Sequence, residues 1–323
     1  MYARTSRYSQ LRPGLFILPL VLALAAPAPA VAQYSAFLLD AVSADLGRPG
    51  DAMSPLDRAF TRSQLRYPRV MRARLESRVN IKRMFHAARV PYPAEQIFLR
   101  AFKRERTLEL WVRPRGADTF TLIKTYDVCS ISGDLGPKRR QGDAQVPEGF
   151  YDIDLFNPVS DYFLSLHVDY PNNVDRTRPG RSGNLGGDIY IHGGCQSIGC
   201  LAMTDDGIEE LYWIAVEARA AGQTRIPVHI FPARLNDDGF NRLVKTYSKQ
   251  PHLTEFWANL KPGFDFFESH RRLPAVVEGR NGRYAYSGAA SMPGNTGPDS
   301  RATGGASPRP AARSGSGSGA NSR

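Results

Sequence analysis

Cysteine is scarce in this 323-residue chain, with only Cys129, Cys195 and Cys200. Three thiols exclude a disulfide-stapled miniature scaffold and a cluster of several cysteine-bound metals. Acid is scarce at both ends: residues 1–32 carry Arg4, Arg7 and Arg12 and no Asp or Glu, and residues 281–323 carry five Arg against Asp299 alone. The formal charge of +11 is therefore mostly terminal, and it gives no footprint for a nucleic-acid partner. Beyond the first 32 residues no apolar run is long enough to span a bilayer. No internal repeat is visible, which excludes a solenoid or propeller.

What is present begins with an export pattern. The three arginines precede an apolar stretch, Leu15 to Ala26, closed by Pro27 and Pro29, and small residues follow up to Ala32. The run is short for an anchor, so it reads as a signal peptide cleaved near Ala32/Gln33, releasing a periplasmic chain that does not span the membrane. At the other end, 281–323 is rich in Gly, Pro and Ser and reads as a disordered tail.

Between them, 33–104 is expected to be a helical extension packed on the main domain. Leu65, Val70, Leu75, Val79, Ile81, Met84 and Phe85 are spaced among many basic residues, and Pro91 and Pro93 interrupt. From Thr107 the period becomes two. Leu108, Leu110 and Val112 alternate, and short runs recur at 150–155, 162–168, 188–192 and 226–231. The expected catalytic domain covers 105–260. A helix opens after Thr204, with Ile208, Leu211, Tyr212 and Ala215 facing inward, and a second spans 236–249. An aromatic flank, 261–280, continues the cluster Phe256, Trp257, Phe264, Phe266 and Phe267 as core packing. The fold class is β-rich α+β, a sandwich or barrel-like sheet with flanking helices.

The chemistry concentrates in residues 188–203. Ile189 and Ile191 alternate with Tyr190 and His192, so His192 leaves the strand on the face away from the isoleucines, open to solvent or substrate. Cys200 follows Gly199 and precedes a helix start, where partial positive charge favours a thiolate. The amides around Gly199 and Cys200 could face a developing oxyanion. Base, thiol and backbone donors are what a cysteine nucleophile needs. A zinc site from His192, Cys195 and Cys200 is the alternative by residue type, but it lacks close Cys spacing and a fourth ligand. A purely structural motif is the other alternative, and no cofactor is expected.

At these residues the chain resembles a known family. His192-Gly193 with Ser197-x-Gly199-Cys200 is similar to the signature of the YkuD-type L,D-transpeptidase catalytic domain, closest to its YafK-like branch. Ser132-Gly133-x-Leu135-Gly136-Pro137-Lys138, Pro147-Glu148-Gly149, Phe156-Asn157-Pro158 and Tyr170-Pro171-Asn172 agree. The resemblance implies an exported cysteine enzyme acting on peptidoglycan stem peptides at meso-diaminopimelate. Cys200 would be nucleophile and His192 general base and acid. The Gly193 carbonyl would orient the ring, and Gly199 would give an oxyanion N–H. Ser197, Lys138, Arg139 and Tyr190 are expected to touch substrate, with a solvated loop as the alternative for the two cations. Ile198 and Ala202 stand where family members carry a second His and a polar residue. Transfer to an amine, hydrolysis that detaches an outer-membrane lipoprotein, and a silent wall-binding role all remain open. If Cys200 is the nucleophile, Cys129 and Cys195 are the remaining pair for a disulfide. Two separate buried thiols is the favoured alternative.

Overall fold

The computed structural model describes residues 55–287, with backbone alone for 55–57. The expected signal peptide and most of the expected tail lie outside the described residues.

Eight strands form one mixed sheet in the order β3-β2-β1-β8-β4-β5-β6-β7. They are β1 (Gln96–Phe102), β2 (Thr107–Arg113), β3 (Thr121–Asp127), β4 (Gly149–Asn157), β5 (Ser165–Val168), β6 (Ile189–His192), β7 (Leu201–Ala202) and β8 (Ile226–Phe231). Neighbours are antiparallel except β1 with β8 and β6 with β7. A separate hairpin pairs β9 (Val276–Glu278) with β10 (Tyr284–Tyr286). The β-rich α+β class follows from this architecture.

Central strands are covered on both faces, so their residues are buried almost without alternation. One face presents Phe98, Phe102, His229, Phe231 and Phe150 to α6 (Pro251–His270), where Phe264 and Phe267 meet them edge-on or tilted at 4.9–6.2 Å. Helix α6 carries Pro262 inside it, and the sequence pattern, read through Pro and Gly, ends the preceding helix at 249 and misses this one. Gly263 lets α6 come close: a Cβ there would sit 2.7 Å from the Phe150 ring. The other face takes α4 (Asp205–Ala220), capped by Thr204 Oγ1 accepting from Gly207 N. The inward stripe expected on α4 is buried, and so is most of the rest of the helix. The reason is that α1 (Pro55–Leu65) and α2 (Pro68–Ala87) pack across its outer side. α3 (Asn173–Thr177) is one capped turn, and α5 (Asp237–Thr246) links β8 to α6.

Two expectations are corrected here. The helical extension expected over 33–104 is not helical throughout its described part, since β1 occupies Gln96–Phe102 and pairs with β2 and β8. Of the apolar residues picked out in this stretch, Leu75 and Val79 are exposed, at 61% and 64%. β10 falls inside the stretch expected as tail, because Tyr284 and Tyr286 are buried against Phe150 and α6.

Buried charge anchors the loops that matter. Lys103 Nζ donates to Gly136 O (2.8 Å) and Val146 O (2.9 Å) and pairs with Glu148 (2.9 Å). Glu148 in turn accepts from Gly136 N and Trp257 Nε1. Both ends of loop 136–146 are thus fixed to the core by one fully buried ion pair whose hydrogen bonds are satisfied.

Candidate active site

The parallel pairing of β6 with β7 sets Ile191 beside Leu201 and His192 beside Ala202. One step back, Cys200 lies beside Tyr190. Registered side chains share a face, so Ile189, Ile191 and Leu201 enter the core together. Tyr190, His192 and Ala202 take the opposite face, and Cys200, the residue just before β7, sits against the Tyr190 backbone next to His192's strand.

His192 is held by two contacts. Its Nδ1 lies 2.6 Å from Gly193 O. A carbonyl only accepts, so Nδ1 carries the proton and Nε2 keeps the lone pair. The Tyr162 ring lies over the imidazole at 4.6 Å, and Gly193 N donates to Tyr162 O. Gly193 must be glycine: a Cβ would come 2.5 Å from the Asp205 carboxylate, which accepts from Gly194 N. His192 is only 2% exposed. The expectation of an open imidazole is corrected, because loop 160–164 folds over the strand end. Burial lowers the His192 pKa, opposed by the Gly193 carbonyl, so the ring is neutral at pH 7.

Cys200 is half-buried and reduced. Its thiol donates to Asp188 O at 3.6 Å, not to His192. Burial raises its pKa, opposed by the Tyr190 backbone N–H and the nearby Lys138 charge. The expected thiolate-favouring helix terminus is absent. β7 and Met203 intervene before the cap of α4, and such a field fades within a turn. The resting pair is therefore a neutral thiol and a neutral imidazole.

Ser197 closes the loop that leads into Cys200. Its Oγ accepts from Gly199 N (3.2 Å) and Cys200 N (2.9 Å) and donates to Cys200 O (2.7 Å). The two amides expected to face an oxyanion are thus given to Ser197 in this structure. Gly199 has φ +139°, a region that only glycine enters without strain.

Cys129 and Cys195 are bridged, with Cα atoms 5.4 Å apart. This corrects the preference for two buried thiols: Cys195 is exposed, with φ +47°, and the bridge holds its strained turn against the end of β3. It also takes Cys195 away from the zinc alternative. Lys138 does not reach out as a clamp. It is 6% exposed and pairs with Asp143 at 2.5 Å, so its charge builds the loop. Arg139 stays half-buried at the lip, and Tyr190 is half-buried beside Cys200.

Three features escape sequence patterning. Asp188 O and the Tyr162 ring act through the backbone or through a loop without period. A third, His167, pairs with Asp154 at 2.6 Å and packs its ring on Tyr190. The pairing needs the β4–β5 register to be seen.

Comparison with known proteins places this geometry. The family model for the L,D-transpeptidase catalytic domain (YkuD) matches residues 101–230. The YafK protein of Escherichia coli strain K12, by name a candidate L,D-transpeptidase, is 39% identical over 193 residues, covering 59% of this chain and 74% of that protein. Its counterpart in strain O157:H7 gives the same figures. Among solved structures, the helical cell shape determining protein Pgp2 of Campylobacter jejuni is 17% identical, with a TM-score of 0.35, covering 58% of this chain and 74% of that one. Bd1075 of Bdellovibrio bacteriovorus is 20% identical, with a TM-score of 0.31, covering 53% and 60%.

Proposed function

This chain belongs to the family of YkuD-type L,D-transpeptidase catalytic domains, and from that premise we propose that it is an exported cysteine acyl-transfer enzyme of peptidoglycan stem peptides. The observation that carries the reading is a reduced Cys200 just before β7, the strand paired with β6, whose end carries His192 with Nδ1 tied to Gly193 O. That tautomer leaves Nε2 as the only basic ring atom. The thiol's bond to Asp188 O is long, so rotation of the Cys200 side chain toward His192 costs little.

The steps follow from these groups. Nε2 takes the Sγ proton as sulfur attacks the scissile carbonyl next to diaminopimelate, giving a tetrahedral oxyanion. An anion accepts more strongly than a hydroxyl, so it competes with Ser197 Oγ for the Gly199 and Cys200 amides. Collapse breaks the C–N bond, the imidazolium returns its proton to the leaving amine, and a Cys200 thioester remains. An acceptor amine, or water, then loses a proton to Nε2, attacks the thioester and restores the thiol. Neutral ground states suit this cycle, because proton transfer is coupled to attack.

A second reading, hydrolysis that releases a lipoprotein from the wall, uses the same acyl-enzyme. What favours it is Ile198, 83% exposed two residues before Cys200, an apolar side chain where the resemblance puts a second histidine. The periplasm is the proposed compartment, supported by the export pattern and by the Cys129–Cys195 bridge. No helix among the described residues is long and apolar enough to cross a membrane. Incubation with purified muropeptides, with and without an amine acceptor, tests the reading. Cross-linked or amine-exchanged products support transfer, shortened stems or freed lipoprotein support hydrolysis, and no product from either substrate set refutes catalysis.

A further inference from the structure

Two loops, 138–146 and 178–188, run side by side next to the nucleophile. Ser182 N donates to Arg139 O (3.1 Å), Gln141 N to Asn184 O (2.8 Å), and the Asn184 side-chain amide to Gln141 Oε1 (2.8 Å). The second loop ends at Asp188, whose carbonyl receives the Cys200 thiol. These loops and the short helix α3 bring Arg139 beside Gly180 and Arg178 and set Arg176 and Arg181 around one depression.

Their positive charge is only partly compensated: Asp188 ends the second loop, and Glu278 meets α3 by accepting from Asn173 N. Asp143 is occupied by Lys138 and by the amides of Arg139, Arg140 and Gln145. Asp175 accepts from Tyr151 and from the Asn172 N–H, and reaches Arg178 only at 3.7 Å. Among the described residues, Arg139, Arg140, Arg176 and Arg181 enter no ion pair. Arg178 is 8% exposed, and its Nε, Nη1 and Nη2 have no hydrogen-bond partner among the described residues. Its guanidinium lies over the Phe256 ring at 3.5 Å. Burial and the Arg178 charge both lower the Arg139 pKa, which marks two guanidiniums repelling each other in a partly dry setting. Between the exposed Arg176 and Arg181 lies an open depression of about 350 Å³, floored by the Gly183–Gly186 turn.

Like charges gathered with few counterions cost stability and persist where an anion relieves them. Guanidinium forks match carboxylates in two-point contacts, which a lysine-lined surface would not provide. We propose that this arginine lip is the binding site for the carboxylates of the peptide that acylates Cys200. It engages the free carboxyl groups flanking the scissile bond and delivers the carbonyl to Sγ. The inference deepens the function proposed above and rests on it. It also moves substrate recognition from Lys138, which is consumed within its loop, to Arg176 and Arg181.

Binding is measured on the Cys200→Ala protein, so that turnover plays no part. The probe is a disaccharide tetrapeptide muropeptide, titrated by calorimetry at low and at high salt. Arg176→Ala/Arg181→Ala is expected to raise Kd about ten-fold or more and to flatten its salt dependence. Arg176→Lys/Arg181→Lys should recover part of the affinity, and the carboxamidated muropeptide should bind the parent no better than the acid form binds the alanine variant. Both arginines are exposed, so folding is retained, as a melting curve checks. Equal Kd for parent and alanine variant overturns the proposal. So does undiminished binding of the amidated probe, or displacement by inorganic phosphate at concentrations as low as the muropeptide's own. Loss of affinity in a protein whose wild type forms no acyl-enzyme would refute the proposed function and leave the lip standing. Acylation with unchanged affinity would refute the lip alone.

Discussion

Replacing the bridge by Cys129→Ser/Cys195→Ser removes a covalent link between residues 66 apart in sequence. In the chain-entropy account the cross-link restricts the unfolded ensemble by an amount that grows with the logarithm of loop length. For this loop the relation gives about 4 kcal/mol at 25 °C. Two local contacts remain after the change, Ser130 N to Ala202 O (3.4 Å) and Ala202 N to Ser130 O (3.3 Å), so the strand end stays paired. For a domain of this size, 4 kcal/mol corresponds to a fall in Tm of roughly 8–16 °C. The bridge also pins the turn at Cys195 that leads to Ser197 and Cys200, so kcat should fall more than the change in stability alone would cause at 25 °C. Urea unfolding of wild type and variant, with kcat measured well below either transition, reads both effects. A change in stability under about 1 kcal/mol, or three titratable thiols in the denatured unreduced wild type, would refute the reasoning.

Glu148→Gln keeps the shape and the Trp257 contact but leaves the Lys103 ammonium buried without a counterion. It should cost about 3–5 kcal/mol in urea unfolding, and a loss below 1 kcal/mol would show that the pair does not anchor loop 136–146. His192 must be neutral to act, and its pKa lies below the ordinary histidine value. Acylation kcat/KM should therefore persist below pH 6.5 and decline only as pH falls through that lowered pKa; an acid limb at or above 6.5 contradicts the buried base. His229 is held neutral between Phe98 (4.5 Å) and Phe150 (4.6 Å), and burial with the Arg100 charge lowers its pKa to about 3. An unfolded histidine binds its proton near 6.5, so this group's contribution is full above that pH and is lost as pH drops from 6.5 toward 3. His229→Leu should lessen the loss of stability between pH 7 and 4.5, and parallel curves for the two proteins would refute it.

Much of the site was legible because its signals are local. The alternation of Ile189 and Ile191 with His192 pointed to the face of the imidazole, and Gly199-Cys200 pointed to the nucleophile proposed here. The Gly193 carbonyl follows its histidine by one residue, so that contact needs no distant partner. What sequence did not reveal depends on pieces far apart in the chain. Loop 160–164 buries His192, and β7 separates Cys200 from the helix whose field was expected to acidify it. Lys138 looked like a clamp until Asp143, five residues on, was seen to hold it. β1 was hidden in a basic, apolar stretch that reads equally as helix, and only its pairing with β2 and β8 decides. α6 was missed because Pro262 and Gly263 signal a break, while the packing on Phe150 rewards their small, rigid profile. The arginine lip joins two loops without period, so no pattern in either could announce it.

The central claim is a thioester on Cys200, and the most direct measurement is intact mass after rapid acid quench of the protein mixed with a tetrapeptide muropeptide. A mass increase equal to the donor minus its leaving group, mapped by digestion to the peptide containing Cys200 and absent in Cys200→Ala and strongly slowed in His192→Ala, is the expected result. Product formation by Cys200→Ala, or turnover by the wild type with an adduct on any other residue, would contradict it.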